Sequence, residues 1–235
     1  MISLLKMRFV KQHKTIEIKN FDDISKIPRK KKHGALLPNS IRALIVGPSN
    51  CGKTNLMISL LESKNGLKFA NVYLYSKSLF QAKYQYLQKL LSSIKEIGFF
   101  AFNENSDVIS PDEAKTNSVF IFDDVACEKQ NNIRSYFCMG RHKNIDSFYL
   151  CQTYTRIPKH LIRDNANFII MFKQDQMNIK HVFSDHVAAD MSLEKFFELC
   201  AECWKDKYGF IVISKDDSME NGRYRKGFDT FIQQL

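Results

Sequence analysis

From residue 41 onward, short runs of consecutive apolar residues alternate with longer stretches in which apolar positions recur every third or fourth residue. Runs of four to seven apolar residues suit strands buried on both faces, and the helical recurrence suits segments packed against them. The pattern therefore predicts an α/β fold with a mostly parallel central sheet flanked by helices on both faces. Predicted strands are Ile41 to Val46, Asn71 to Tyr75, Val119 to Phe122, Phe148 to Cys151, Phe168 to Phe172 and Phe210 to Ile213. The first predicted helix carries Leu56, Met57, Leu60 and Leu61 on one face and stops near Asn65-Gly66, a good C-terminal cap. A second carries the stripe Leu79, Phe80, Tyr84, Leu87, Leu90 and Leu91. Two more run between Asn132 and Gly140 and from Leu193 to Trp204.

The flanks read differently. Residues 1–40 form an N-terminal extension, with short strands expected in the alternating segment Lys6 to Ile18 and a basic linker after it. Residues 41–214 form the core and 215–235 a basic C-terminal tail. The run Arg29-Lys30-Lys31-Lys32 suits a nuclear localisation signal, a phosphate-contacting arm or a solvated linker.

Composition, 44% apolar and 26% charged, is that of a soluble globular protein. No apolar run approaches the roughly 18 residues of a membrane span. Lys6 and Arg8 interrupt the first apolar stretch and no small-residue cleavage site follows, which points to an intracellular protein. The six scattered cysteines are expected to be reduced thiols. A net charge of +10 suits a polyanionic partner, nucleic acid first, because clustered cations gain affinity by releasing counterions.

The chemistry concentrates at strand ends. Gly47-Pro48-Ser49-Asn50-Cys51-Gly52-Lys53-Thr54 lies between the first strand and the first helix and is a complete phosphate-binding loop. Its backbone amides and the helix N-terminus would cradle phosphates, Lys53 would reach the β and γ phosphates, and Thr54 would place a hydroxyl on Mg²⁺. Val119 to Phe122 ends in Asp123-Asp124, a Walker B pattern expected on the strand beside the loop strand. Asp123 would hold Mg²⁺ and Asp124 would act as general base. The strand Asn71 to Tyr75 lies between the two motifs in sequence, which fits the P-loop division that inserts a strand between the Walker strands and carries a catalytic acid. No Asp-x-x-Gly follows the Walker B strand, and Ser214-Lys215-Asp216-Asp217 matches a guanine-reading box only loosely, so ATP is favoured over GTP. Gln152, at the tip of the strand Phe148 to Cys151, occupies a sensor position.

Together Gly47 to Thr54, Phe122-Asp123-Asp124, Gly140-Arg141-His142, Leu150-Cys151-Gln152 and Ile162-Arg163-Asp164-Asn165-Ala166-Asn167 resemble the viral DNA-packaging ATPases of the FtsK/HerA superfamily, those of poxviruses, other large DNA viruses, virophages and the Polinton-adintovirus group. The resemblance covers about residues 40–175. It implies a RecA-like motor with ATP and Mg²⁺ as cofactors, forming a homo-oligomeric ring, pentamer or hexamer, that threads double-stranded DNA into a preformed capsid at its portal vertex. It implies action at a viral assembly site in the host cell, nucleus and cytoplasm being undistinguished. The superfamily usually has Glu where Asp124 stands. Ring motors take an arginine from the neighbouring subunit, for which Arg141 is the first candidate and Arg163 the second. A non-packaging translocase or helicase of the same superfamily and a nucleotide-gated assembly scaffold are the alternative functions.

Two further features read mainly as structure. Cys200-x-x-Cys203, with His181 and His186 nearby in sequence, has half the spacing of a zinc site, but its helical context favours buried thiols. Arg223-Tyr224-Arg225-Lys226 suits either a DNA-backbone grip or a solvated tail.

Overall fold

The computed structural model describes residues 31–233; the strands expected over Lys6 to Ile18 and most of the 1–40 extension lie outside them. Nine strands form one sheet: β1 (Arg42–Val46), β2 (Asn71–Ser76), β3 (Gly98–Phe102), β4 (Ser118–Asp123), β5 (Ile145–Cys151), β6 (Phe168–Phe172), β7 (Phe210–Ser214), β8 (Tyr224–Lys226) and β9 (Thr230–Phe231), in the spatial order β3-β2-β4-β5-β1-β6-β7-β8-β9. The first six of that order run parallel, and β7, β8 and β9 each add antiparallel.

Helices cover both faces, as the apolar pattern requires of strands with no solvated side. Ala43 and Ile45 of β1 and Val119 and Ile121 of β4 point to one core, with α1 (Lys53–Glu62) and α2 (Ala82–Ser92) against it. Leu44, Val46, Phe120 and Phe122 alternate to the other core, closed by α3 (Asn131–Met139), α4 (Gln176–Val182) and α5 (Leu193–Cys203). Aromatic rings line this second face: Tyr73 stacks on Phe100 at 4.7 Å, and Phe120 on Phe122 at 4.5 Å and against Tyr136 at 4.2 Å. Such pairs add to area burial by about 0.5–1.5 kcal/mol each.

Several expectations are corrected. β4 is not beside β1: β5 separates them, with Leu44 opposite Tyr149 and Phe122 opposite that same Tyr149 on its other side. The inserted strand is therefore the one tipped by Gln152, and Asn71 to Tyr75 pairs outside β4. The stripe of the second helix begins later than its apolar residues suggest, since α2 buries Tyr84, Leu87 and Leu91, whereas Phe80 precedes the helix and is 77% exposed. Beyond residue 214 the chain returns to the sheet as β8 and β9, with Tyr224 and Arg225 buried. Arg225 donates to the carbonyls of Gly222 and Leu36 and pairs with Asp217 at 2.6 Å, so it is neither a DNA grip nor part of a solvated tail. In the basic linker, Lys32 is likewise engaged, 2.6 Å from the buried Asp146.

Candidate functional site: a phosphate-loop cleft at the carboxyl ends of the strands

In a parallel sheet the loops after the strands share one edge, and here the register brings three of them to one height. Val46 is opposite Cys151 and Leu150 opposite Asp123, so Gly47, Gln152 and Asp124 leave neighbouring strands side by side. Gly47 N–H donates to the Cys151 carbonyl (3.1 Å) and Asp124 N–H to the Leu150 carbonyl (3.4 Å), which ties the loops together. Ser49, Lys53, Thr54, Asp123, Asp124 and Gln152 line the resulting cleft of about 170 Å³.

The loop itself depends on its glycines. A side chain at Gly47 would stand 2.5 Å from Cys51 Sγ and 2.7 Å from Phe172 Cβ, and Gly52 sits at φ 112°, where L residues are strained. Asn50 also has a left-handed backbone (φ 63°), which Asn tolerates. Lys53 Nζ donates to the carbonyls of Gly47 (2.6 Å) and Pro48 (3.0 Å), so its ammonium lies on the rim of the loop. Burial pushes the Cys51 thiol above its ordinary range, keeping it protonated.

The two acids differ in setting. Asp123 is 9% exposed, and desolvation raises its pKa, opposed by a hydrogen bond from Tyr84 and the charge of Lys53. Asp124 is exposed, with a left-handed backbone (φ 57°) that turns its carboxylate into the cleft, where Gln152 Nε2 lies 3.4 Å from Oδ1. The sequence reading missed Tyr84. It appears there only as one apolar position of a stripe, yet its hydroxyl donates to Asp123 Oδ2 and reaches Thr54. Ser78, Gln81 and Lys83, from the segment before α2 and its first turn, complete the wall of the cleft. Nothing in their local pattern marks them.

The remaining candidates lie elsewhere. Arg141 is exposed in the turn Gly140–Lys143 at the amino end of β5. The seven residues of that strand separate it from Gln152 by about 20 Å. Arg163 is withdrawn from the surface: it is 11% exposed, pairs with Asp185 at 2.8 Å and lies over the Tyr154 ring. It is a core ion pair, which removes it as a free finger. Cys200 and Cys203 are fully buried, and burial raises both thiols, Cys203 to about 11. His186 bonds Tyr154 at 2.9 Å and His181 is exposed. Among the described residues no cluster of three His, Cys, Asp or Glu side chains could hold a metal.

The fold has solved counterparts. The genome packaging NTPase B204 of Sulfolobus turreted icosahedral virus 2, in its complex with sulfate, superposes with a TM-score of 0.55 over 83% of this chain and 98% of its own, at 15% identity. Its ATP-gammaS complex gives 0.54 over 85% and 100%, at 14% identity. B204 described as the DNA-packaging ATPase from Sulfolobus turreted icosahedral virus gives 0.54 over 82% and 97%, at 16% identity. No match was found among curated proteins. These likenesses establish the P-loop NTPase fold, in agreement with the resemblance carried by the motifs. The poxvirus A32 protein family matches residues 29–231, nearly the whole described region, and the chain belongs to that family.

Proposed function

We propose that this chain is an ATP-hydrolysing motor that moves double-stranded DNA into a viral capsid as one subunit of a ring. The observation that carries the proposal is the convergence, in one cleft, of the phosphate loop after β1, the acid pair after β4 and the amide after β5. The donors fit a Mg²⁺-nucleotide: a buried carboxylate and a threonine hydroxyl, joined through Tyr84, stand beside a loop of inward amides. Thr54 and Asp123 would hold Mg²⁺, which bridges β and γ phosphates and neutralises charge there.

Lys53 exchanges its carbonyl partners for phosphate oxygens. Asp124 accepts a proton from the attacking water, and Gln152, beside it, orients that water and senses the γ-phosphate. Arg141 is far from its own cleft and exposed, so it can serve only a neighbour's nucleotide. The B204 titles and the net charge of +10 favour DNA as the track. We place the protein inside the infected cell, at the site of virion assembly.

Steady-state hydrolysis with and without duplex DNA tests the reading. DNA is expected to stimulate turnover, and Asp124→Ala to lower kcat by about 10²–10⁴ with nucleotide still bound. Turnover that neither DNA nor Asp124→Ala alters would overturn the motor, and nucleotide-dependent assembly without turnover would favour a scaffold.

A further inference from the structure

A second cavity, about 740 Å³, opens on the opposite side of the phosphate loop from the acids. It shares Asn50, Gly52 and Lys83 with the catalytic cleft, so the two spaces meet at the loop. Its walls are different in kind. Aromatic residues from β6, β7 and the segments beside them gather there: Phe172 and Phe210 lie 5.4 Å apart and Phe210 and Phe228 5.2 Å apart. A side chain built on Gly52 would touch Phe172 at 3.6 Å and Tyr208 at 3.9 Å, so both rings stand directly over the loop.

Tyr208 is the informative member. It is 57% exposed, yet it holds a left-handed backbone (φ 68°), an uncommon conformation for a bulky residue. Its ring gains little from burial there, and the only ring contact recorded for it is Lys207 Nζ at 5.1 Å. A strained, half-exposed aromatic beside a phosphate loop suits a stacking platform.

We propose that this cavity seats the base and ribose of the nucleotide, with the base stacked on Tyr208. The inference rests on the nucleotide reading of the loop. The direction of the phosphate chain supports it: Asp123, Asp124 and Gln152 come from β4 and β5, on one side of β1, and place the γ-phosphate there. The chain of phosphates then runs across the first turn of α1, and its other end emerges over β6 and β7. The cavity volume and its mainly apolar lining, with Asn55 and Ser59 of α1 as polar exceptions, are those of small-ligand sites.

The test compares Mg²⁺-ATP with Mg²⁺-tripolyphosphate, which lacks base and sugar, by calorimetry on the full chain. Ser59→Trp fills the cavity from α1, and Tyr208→Gly removes the platform while relieving its backbone strain. Both are expected to weaken ATP about tenfold or more and leave tripolyphosphate unchanged. Unchanged ATP affinity in both variants, or equal loss of both ligands, would overturn the base site. Lys53→Ala separates this from the underlying reading: it is expected to weaken both ligands, and failure to weaken either would overturn the phosphate loop itself.

Discussion

At Gly47 the backbone passes between Cys51 Sγ and Phe172 Cβ with no room for a methyl group. Gly47→Ala is expected to cost about 1–3 kcal/mol in denaturant unfolding and to abolish nucleotide binding, because the overpacked loop must shift. Asp146 carries comparable weight far from the cleft. Its buried carboxylate takes Lys32 Nζ at 2.6 Å, His33 Nε2 at 3.0 Å and the Ile41 amide at 2.7 Å. Asp146→Ala strands those donors and is expected to lower stability by about 3 kcal/mol, measured in the same way, with the cleft intact. The two residues differ in legibility. Gly47 is marked by its motif, whereas Asp146 sits in a run read as strand and its partners are more than a hundred positions away. A buried ion pair of that kind leaves no local periodicity. Tyr84 was hidden for the same reason: its ring belongs to the apolar stripe, and only the hydroxyl belongs to the site.

Among the elements, α2 joins core to chemistry. Tyr84, Leu87 and Leu91 anchor it, and the anchored tyrosine braces Asp123 and Thr54. Tyr84→Phe keeps the packing and removes the brace; ATP hydrolysis is expected to need severalfold more Mg²⁺, while metal-free nucleotide binding is unchanged. A Mg²⁺ titration of kcat checks this. The strands read from sequence are those with long apolar runs, and their boundaries agree within two residues. β3, β8 and β9 escaped because each is short and their polar or small residues break the run: Tyr224–Lys226 contains two cations. Arg225 is nonetheless buried, its guanidinium spent on Gly222, Leu36 and Asp217. Charge in a tripeptide signals exposure only when no carbonyls and carboxylates are waiting for it.

On the scale of the whole molecule, acid sensitivity is set by a buried imidazole. Burial, with the cations Lys215, Arg163 and Arg223 adding to it and Asp185 opposing, lowers His186 from its ordinary 6.5 to about 4. The unfolded chain thus takes up a proton below pH 6.5 that the folded chain refuses until about pH 4. The stabilisation is complete above that window and is lost as pH falls through it, about 3 kcal/mol in all. Urea midpoints are expected to drop between pH 7 and pH 4.5, and His186→Gln to flatten the drop. The order of the sheet was less legible than its strands, because spatial neighbours are chosen by crossover connections rather than by local pattern. β3 ends that order, a five-residue strand Gly98–Phe102 bearing three phenylalanines, with no partner on its outer side among the described residues. Its free amides and carbonyls form a template for another strand, and Ala101, exposed on that edge, offers no charge to repel one. Colloidal behaviour should therefore be governed here rather than at the cleft: Ala101→Lys is expected to delay heat-induced light scattering while leaving hydrolysis as it was.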